Sequence, residues 1–307
     1  MTNETLVHPV HTLHNRLLLP AGTELSGETL DGLISTSRAT AHQPYSLLRH
    51  SSVKEDLLDF LSEAPYREVF VDEEVRADVL NLMNAVGIVG PVLESLDYFK
   101  KHDPYTYRHI LVVSALSTLV AKNMFSDHQD RIQEAATAPS HDFGKVCVPL
   151  HILKKATPLT QRERDILKHH TAAGYVLLSY YLKDRQNPAA RVARDHHERH
   201  DGSGYPRGIR VMDPMVEIVV ATDIYDALIS SRPYRPISYD NRTALEEITA
   251  MAERHEISWD VVKALVACNR EDKPHFTECE VSAERRGTPP PGNLYGVTAE
   301  EDNHTSD

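Results

Sequence analysis

Cysteine is scarce in this sequence: Cys147, Cys268 and Cys279 are the three among 307 residues, and no two stand at CxxC spacing. An odd, scattered count excludes a disulfide framework and a cysteine zinc knuckle, and it points to a reduced, cytosolic chain. Positive charge is short as well, with 33 Lys and Arg against 45 Asp and Glu for a formal charge of −12. A chain this acidic has no general affinity for a nucleic-acid polymer, whose phosphates call for a surplus of cations. A small anionic ligand stays open wherever basic residues gather locally. Apolar runs are short too. None approaches the roughly 18 residues of a spanning helix, and no basic stretch followed by an apolar one opens the chain. Neither a membrane span nor a signal peptide is expected.

What the chain does have is histidine, 18 of them, and enough apolar side chains (41%) to bury a substantial core. Its length suggests one large domain and a smaller one. The stretch the rest is organised around is Ser140-His141-Asp142-Phe143-Gly144-Lys145. Imidazole suits transition metals, and a carboxylate has two oxygens with which to bridge two ions. A His-Asp dipeptide alone carries little weight, since such pairs arise by accident on surfaces. Its company matters more: His169-His170, then Asp195-His196-His197-Glu198, then His200-Asp201-Gly202-Ser203-Gly204-Tyr205-Pro206, then Asp223 and Asp226 within an apolar run.

Residues 1–90 read as a small α+β module. Leu17-Leu18-Leu19 before Pro20 and Gly22 suggests a short hairpin strand; Ser26 is placed to cap a helix to about Ser35. Ser52 with Glu55 has the form of a capping box. His8, His11 and His14 would share a face only in a helix, which Pro9 opposes. A regulatory or dimerising role is expected of this module rather than metal binding. Helices follow over Val75–Val86, from Pro91 to about Lys101, and from Asp103-Pro104 through Met124. On the last, His109, Val113, Leu116 and Val120 share one face, which turns His109 to the core. Pro139 must kink a helix over 132–140 or place the His-Asp pair in a first turn. Thr160 and Glu163 form a capping box for a helix running to about Leu182, in which Gly174, one turn after His170, allows another backbone to come close. A helix from Ala189 carries His196 and His197 near its end, and a glycine-rich loop spans 202–208.

In the helix Pro214–Ile229, Val216, Val219, Asp223, Asp226 and Ala227 share a face. A buried carboxylate costs several kcal/mol unless paired or metal-bound. Asp223 is therefore expected to be a ligand, and Asp226 either an outer-shell partner or a helper of His196 or His197. After a last helix to about Asn269, residues 271–307 are polar, include Pro289-Pro290-Pro291, and read as a disordered tail.

HDFGK at 141–145, the His170-to-Gly174 segment, HHERHDGSGYP at 196–206 and TDIYDALISSRPYR at 222–235 together resemble the HD-GYP family, a branch of the HD phosphohydrolases. The resemblance covers roughly residues 95–265, and the motifs stand in the family's order. It implies a mainly α fold, an HD-GYP-type helical bundle around a metal site spanning 91–270, acting on cyclic di-GMP. Carried over position by position, it implies His109, His141, Asp142, His170, His196, His197 and Asp223 as metal ligands, with Asp142 bridging. Lys145 matches a lysine near the site, and Tyr205, Arg232 and Arg235 match positions that grip the substrate. Members with a third metal carry a glutamate where this chain has Tyr105, which favours two divalent ions. Iron is implied by the resemblance alone, while the donor set also suits manganese or zinc. Ala138-Pro139-Ser140 replaces the family's apolar lead-in, and the loop 210–214 is about two residues shorter.

Such a cluster suits phosphodiester hydrolysis: two ions ~3.5–4 Å apart share and activate a hydroxide and clamp phosphate oxygens. In-line attack would open cyclic di-GMP to pGpG, with GMP as a possible further product, while Lys145 steadies charge on phosphate oxygen. Arg232 and Arg235 would contact phosphate, and Tyr205 would donate to phosphate or stack near guanine. Two alternatives remain: an HD phosphohydrolase acting on another nucleotide, and a receptor that binds cyclic di-GMP without turnover. A homodimer or a signalling-protein partner is compatible with all three readings.

Overall fold

The computed structural model describes residues 4–37, 44–231 and 237–291. The chain is mainly helical, with two minute two-stranded sheets confined to its leading part. β1 (Val10–His11) pairs antiparallel with β2 (Leu17–Leu19). The expected strand thus exists, but its partner lies upstream of it rather than beyond the Pro20-Gly22 turn. β3 (Tyr45–Ser46) pairs with β4 (Gly87–Ile88) and closes the leading part on itself.

Helices α1 (Gly27–Ser35), α2 (Val53–Ser62), α3 (Tyr66–Val69) and α4 (Glu73–Ala85) fill the interval between the strands. Ser26 caps α1 through Thr29 N at 3.1 Å. The capping box expected at Ser52 does not form. Its hydroxyl instead serves Asp56 Oδ2 at 3.1 Å, and Lys100 reaches the same carboxylate at 2.5 Å. A cross-element ion pair has outcompeted the local cap.

α5 (Gly90–His102) leads into α6 (Pro104–Met124), the axis of the molecule. Asp103 caps α6 through Thr106, and Pro104 occupies its first turn, where a missing N–H costs nothing. From Thr106 to Ala121 nearly every α6 side chain is buried. A helix apolar on all sides must be surrounded. α2 and α4 pack on it from the leading part, and α5, α7 (His128–Thr137), α12 (Pro214–Ile229) and α14 (Trp259–Cys268) from the remainder. At ~1.5–3 kcal/mol per fully buried large aliphatic side chain, this interior fixes α6 before any ligand is considered.

Between α7 and α12 run a 3₁₀ turn at Ala138–Ser140, another at Phe143–Cys147, the short α8 (Leu150–Leu153), α9 (Gln161–Lys168), α10 (His170–Leu182) and α11 (Pro188–Asp195). Pro139 sits inside the first 3₁₀ turn, so the helix ends before the His-Asp pair. The Thr160–Glu163 capping box is present, but the helix it starts breaks at His169 and resumes at His170. α13 (Asn241–Glu253) packs between α12 and α14. The polar segment beyond α14, expected to be disordered, makes specific contacts as far as Gly287: Phe276 N donates to Asn123 Oδ1 at 2.8 Å, and Gly287 N to Glu246 Oε2 at 2.7 Å. Among the described residues no helix is long and apolar enough to cross a membrane.

Candidate metal centre

Five segments converge on one spot. α6 brings His109, the turn after Pro139 brings His141 and Asp142, α10 opens on His170, α11 hands over to His196 and His197, and α12 brings Asp223 and Asp226. α6 and α12 are tied by Ser117 Oγ and Thr222 Oγ1, 2.7 Å apart and buried, and two turns earlier on α6 His109 meets Asp223. α10 lies against the HD turn because Gly144 has no side chain: a Cβ there would stand 1.9 Å from His170 O and 2.5 Å from Gly174 N. The close approach anticipated at Gly174 is present, a Cβ there standing 3.3 Å from Gly144 N, and it is tighter still at Gly144, the glycine of the HD motif itself.

The donors form two sets. His109 Nε2 lies 3.1 Å from Asp223 Oδ1, 3.4 Å from Asp142 Oδ2 and 3.4 Å from His141 Nε2. Across the carboxylate, Asp142 Oδ1 lies 3.5 Å from His170 Nε2 and 3.8 Å from His196 Nε2. His197 completes that side, its ring centre 4.2 Å from that of His196 and 5.1 Å from that of His170. Within His109, His141 and Asp142, and within His170, His196 and His197, the candidate ligand atoms all lie within 4.8 Å of one another. Asp142 divides the sets, with Oδ2 toward one and Oδ1 toward the other.

The imidazoles are oriented as metal ligands are. His141 Nδ1 faces Ala138 O at 2.7 Å, His170 Nδ1 faces Leu167 O at 2.6 Å, and His196 Nδ1 faces Ala193 O at 3.0 Å. A carbonyl only accepts, so each proton sits on Nδ1 and each Nε2 is bare. His170 and His196 therefore turn two lone pairs toward each other at 3.2 Å with no proton between them. A cation relieves that opposition. The donor set, imidazole-rich with two carboxylates, fits divalent ions of the first transition row.

Electrostatics agree on the His170 side, while on the other side a proton on His109 takes the place a cation would have. Burial pushes the His170 pKa down to about 4, and burial reinforced by His170 and His141 pushes His196 down to about 3. Burial, then His196, also holds His197 well below its ordinary value. These three are neutral at pH 7, as ligands must be. Burial opposes charge on His109, but Asp223 and Asp226 overcome it and raise it to about 9. Burial likewise pushes Asp142 up, yet Lys145 and then His141 outweigh it and hold the carboxyl well below its usual range. Asp223 is held low against burial chiefly by His109.

A second ring of residues supports the first. Asp226 is the outer partner of His109, with Oδ2 2.7 Å from Nδ1, and among the described residues it makes no hydrogen bond to His196 or His197. Of the two roles open to it, only the first is realised. Its other oxygen accepts from the Tyr66 hydroxyl. Lys145 Nζ sits 2.5 Å from Asp142 Oδ2, tied to the carboxylate between the two sets. Tyr205 stacks on His197 with ring centres 4.7 Å apart, and Lys168 Nζ lies 5.1 Å from the Tyr205 ring centre. Tyr105 stacks near His109, and its hydroxyl meets Ser230 Oγ at 3.3 Å. Arg232 and Arg235 lie outside the described residues.

Two contributors were not assigned from the sequence. Glu198 is fully buried and accepts Arg207 N at 2.7 Å and Ile209 N at 3.0 Å, pinning the loop that bears Tyr205. Gly204 folds back so closely that a Cβ would meet Glu198 Cα at 2.4 Å. An acid directly before a glycine-rich loop with N–H groups to satisfy was the available signal. Tyr66 had none, since it lies over forty residues from the nearest motif. His8 packs edge-on against His169, and neither belongs to a donor set.

The HD domain family model matches residues 95–257. Among curated proteins, the chain is 33% identical over 208 residues to a cyclic di-GMP phosphodiesterase of Thermotoga maritima, covering 66% of this chain and 53% of that protein. It is 40% identical over 126 residues to the cyclic di-GMP phosphodiesterase response regulator RpfG of Xanthomonas campestris, covering 40% and 33%. It is 37% identical over 134 residues to the 3'3'-cGAMP-specific phosphodiesterase 3 of Vibrio cholerae, covering 43% and 29%. The chain thus spans about half the length of the first relative and about a third of the other two.

Proposed function

The chain belongs to the HD domain family, in its HD-GYP branch, and from that premise we propose that it is a metal-dependent phosphodiesterase that hydrolyses cyclic di-GMP to pGpG, with GMP as a further product. The carrying observation is Asp142, whose two oxygens address two separate imidazole sets. A pure receptor has no use for a carboxylate so placed. His109, His141, Asp142 and Asp223 would hold one divalent ion, and His170, His196, His197 and Asp142 the other, with iron preferred and manganese or zinc admitted by the donors. Bound there, the ions supply Lewis acidity toward a phosphoryl oxygen and an activated water.

The chain's own residues do the rest. Lys145 fixes the Asp142 carboxylate and brings a positive charge to where phosphate oxygens would gather. Tyr205, stacked on His197 beside Lys168, offers an aromatic face and a hydroxyl at the edge of the centre. Arg232 and Arg235 supply phosphate contacts in this reading. We assign the hydrolase to residues 91–270, a regulatory or dimerising role to 1–90, and a polar tail to 271–307.

The test is incubation of metal-loaded protein with cyclic di-GMP and, in parallel, with 3'3'-cGAMP, with products separated by chromatography. Linear pGpG is expected from the first. Turnover of cGAMP alone would move the substrate within the same reaction class, and binding of either without turnover would refute the hydrolase.

A further inference from the structure

The leading module reaches the ring of residues behind the metal donors through Tyr66. Tyr66 opens α3, is 1% exposed, and donates its hydroxyl to Asp226 Oδ1. Asp226 is fully buried, and its other oxygen holds His109 Nδ1 at 2.7 Å. His109 Nε2 in turn faces Asp223 and Asp142. The chain of contacts runs phenol, carboxylate, imidazole, donor set, and its first member lies outside the hydrolase segment. α3 is itself clamped: Asn241 Nδ2 on α13 donates to Pro65 O at 3.2 Å and to Glu68 Oε2 at 2.9 Å.

The geometry points to Tyr66 as a positioning residue by which the leading module sets the affinity of the His109-side metal ion, a role that rests on the two-ion reading above. A buried carboxylate with one oxygen unsatisfied is free to turn, and His109 turns with it. With the phenol in place, both oxygens are committed and the ring plane of His109 is set. The His170, His196 and His197 set lies a step further from Tyr66, reached only beyond His109 through Asp142 and His141, so the effect falls first on the His109-side ion.

A second bond between the same module and the hydrolase segment provides the control, this time to α6 rather than to α12. Tyr107 OH on α6 donates to Asp56 Oδ2 on α2 at 2.6 Å, which is also phenol to carboxylate, but it leads to no metal donor. Mn(II) titrations followed by the EPR signal of the free ion would be run on wild type, Tyr66→Phe and Tyr107→Phe, with apo thermal unfolding measured alongside. Wild type is expected to take two ions. Tyr66→Phe should bind one as before and the second about tenfold more weakly; Tyr107→Phe should lose comparable thermal stability and bind both unchanged. In a cycle with Asp226→Asn, the two losses should not add, because they cut the same relay. Unchanged binding by Tyr66→Phe, an equal loss in Tyr107→Phe, or additive losses would overturn the relay while leaving the two-ion centre standing. A wild type that takes fewer than two ions would refute the centre itself, and the relay with it.

Discussion

Replacing Gly144 with alanine tests whether backbone packing, rather than ligand identity alone, builds the centre. The added Cβ would stand 1.9 Å from His170 O, where ordinary contact begins at 3.4 Å, so α10 and the HD turn must part by 3.4 − 1.9 = 1.5 Å. Both obstacles are backbone atoms of α10 and cannot swing aside. Overpacking of this kind costs up to about 3 kcal/mol, which for a domain of this size lowers Tm by roughly 6–12 °C. The functional damage should exceed the loss of stability. Metal–ligand distances tolerate only ~0.2 Å, and it is the first residue of α10, His170, that is pushed. Gly144→Ala should therefore fold, melt lower and lose the ion on the His170 side, with hydrolysis falling accordingly. Gly174→Ala is the internal comparison: its Cβ meets Ala193 Cβ at 3.1 Å, a few tenths of an ångström too close, and should cost less on both counts. Differential scanning calorimetry with elemental analysis reads both quantities. A Gly144→Ala protein with wild-type Tm and two ions would refute the argument.

Three further outcomes are expected. Asp142→Ala should release both ions, since it removes the oxygen facing each set, and elemental analysis showing two ions retained would contradict the bridging role. Glu198→Gln should leave metal content intact while raising KM about tenfold, because it weakens the charged acceptance of Arg207 N and Ile209 N that holds the Tyr205 loop; an unchanged KM would show the loop to be held by other means. The metal-free protein should be most stable near the pKa of a free histidine, ~6.5. Below it, the unfolded chain takes up protons that His170 (about 4) and His196 (about 3) refuse in the fold, so stability falls as pH drops. Above it, the stabilisation of His109, whose pKa is raised to about 9, is lost as pH rises through that value. Thermal melts of chelator-treated protein across pH would show this maximum, and stability still climbing toward pH 4 or beyond pH 9 would exclude it.

Much of the centre was legible in the sequence because its ligands come in short motifs on strongly patterned helices. His109 and Asp223 were expected to face inward from periodicity alone, and both do. His141, Asp142, His170, His196 and His197 were implied by family resemblance, and the fold draws them together. Less was legible wherever a long-range contact displaced a local one. Ser52 has the form of a capping box, but Lys100 draws the Asp56 carboxylate and with it the serine hydroxyl. The helix from Gln161 carries no breaker at His169, yet it breaks there, placing His170 at the start of a new helix against Gly144. Asp226 had two roles open to it, outer-shell partner or helper of His196 or His197, and only the packing of α12 on α6 brings it to His109. Tyr66 was invisible for the same reason: nothing within four residues of it hints at a partner 160 positions away.

The most direct test of the account is anomalous diffraction from crystals of the manganese-loaded protein. Two peaks are predicted, one beside His109, His141 and Asp223 and one beside His170, His196 and His197, with a separate oxygen of Asp142 turned to each. A single peak, or two peaks on the same side of that carboxylate, would contradict it.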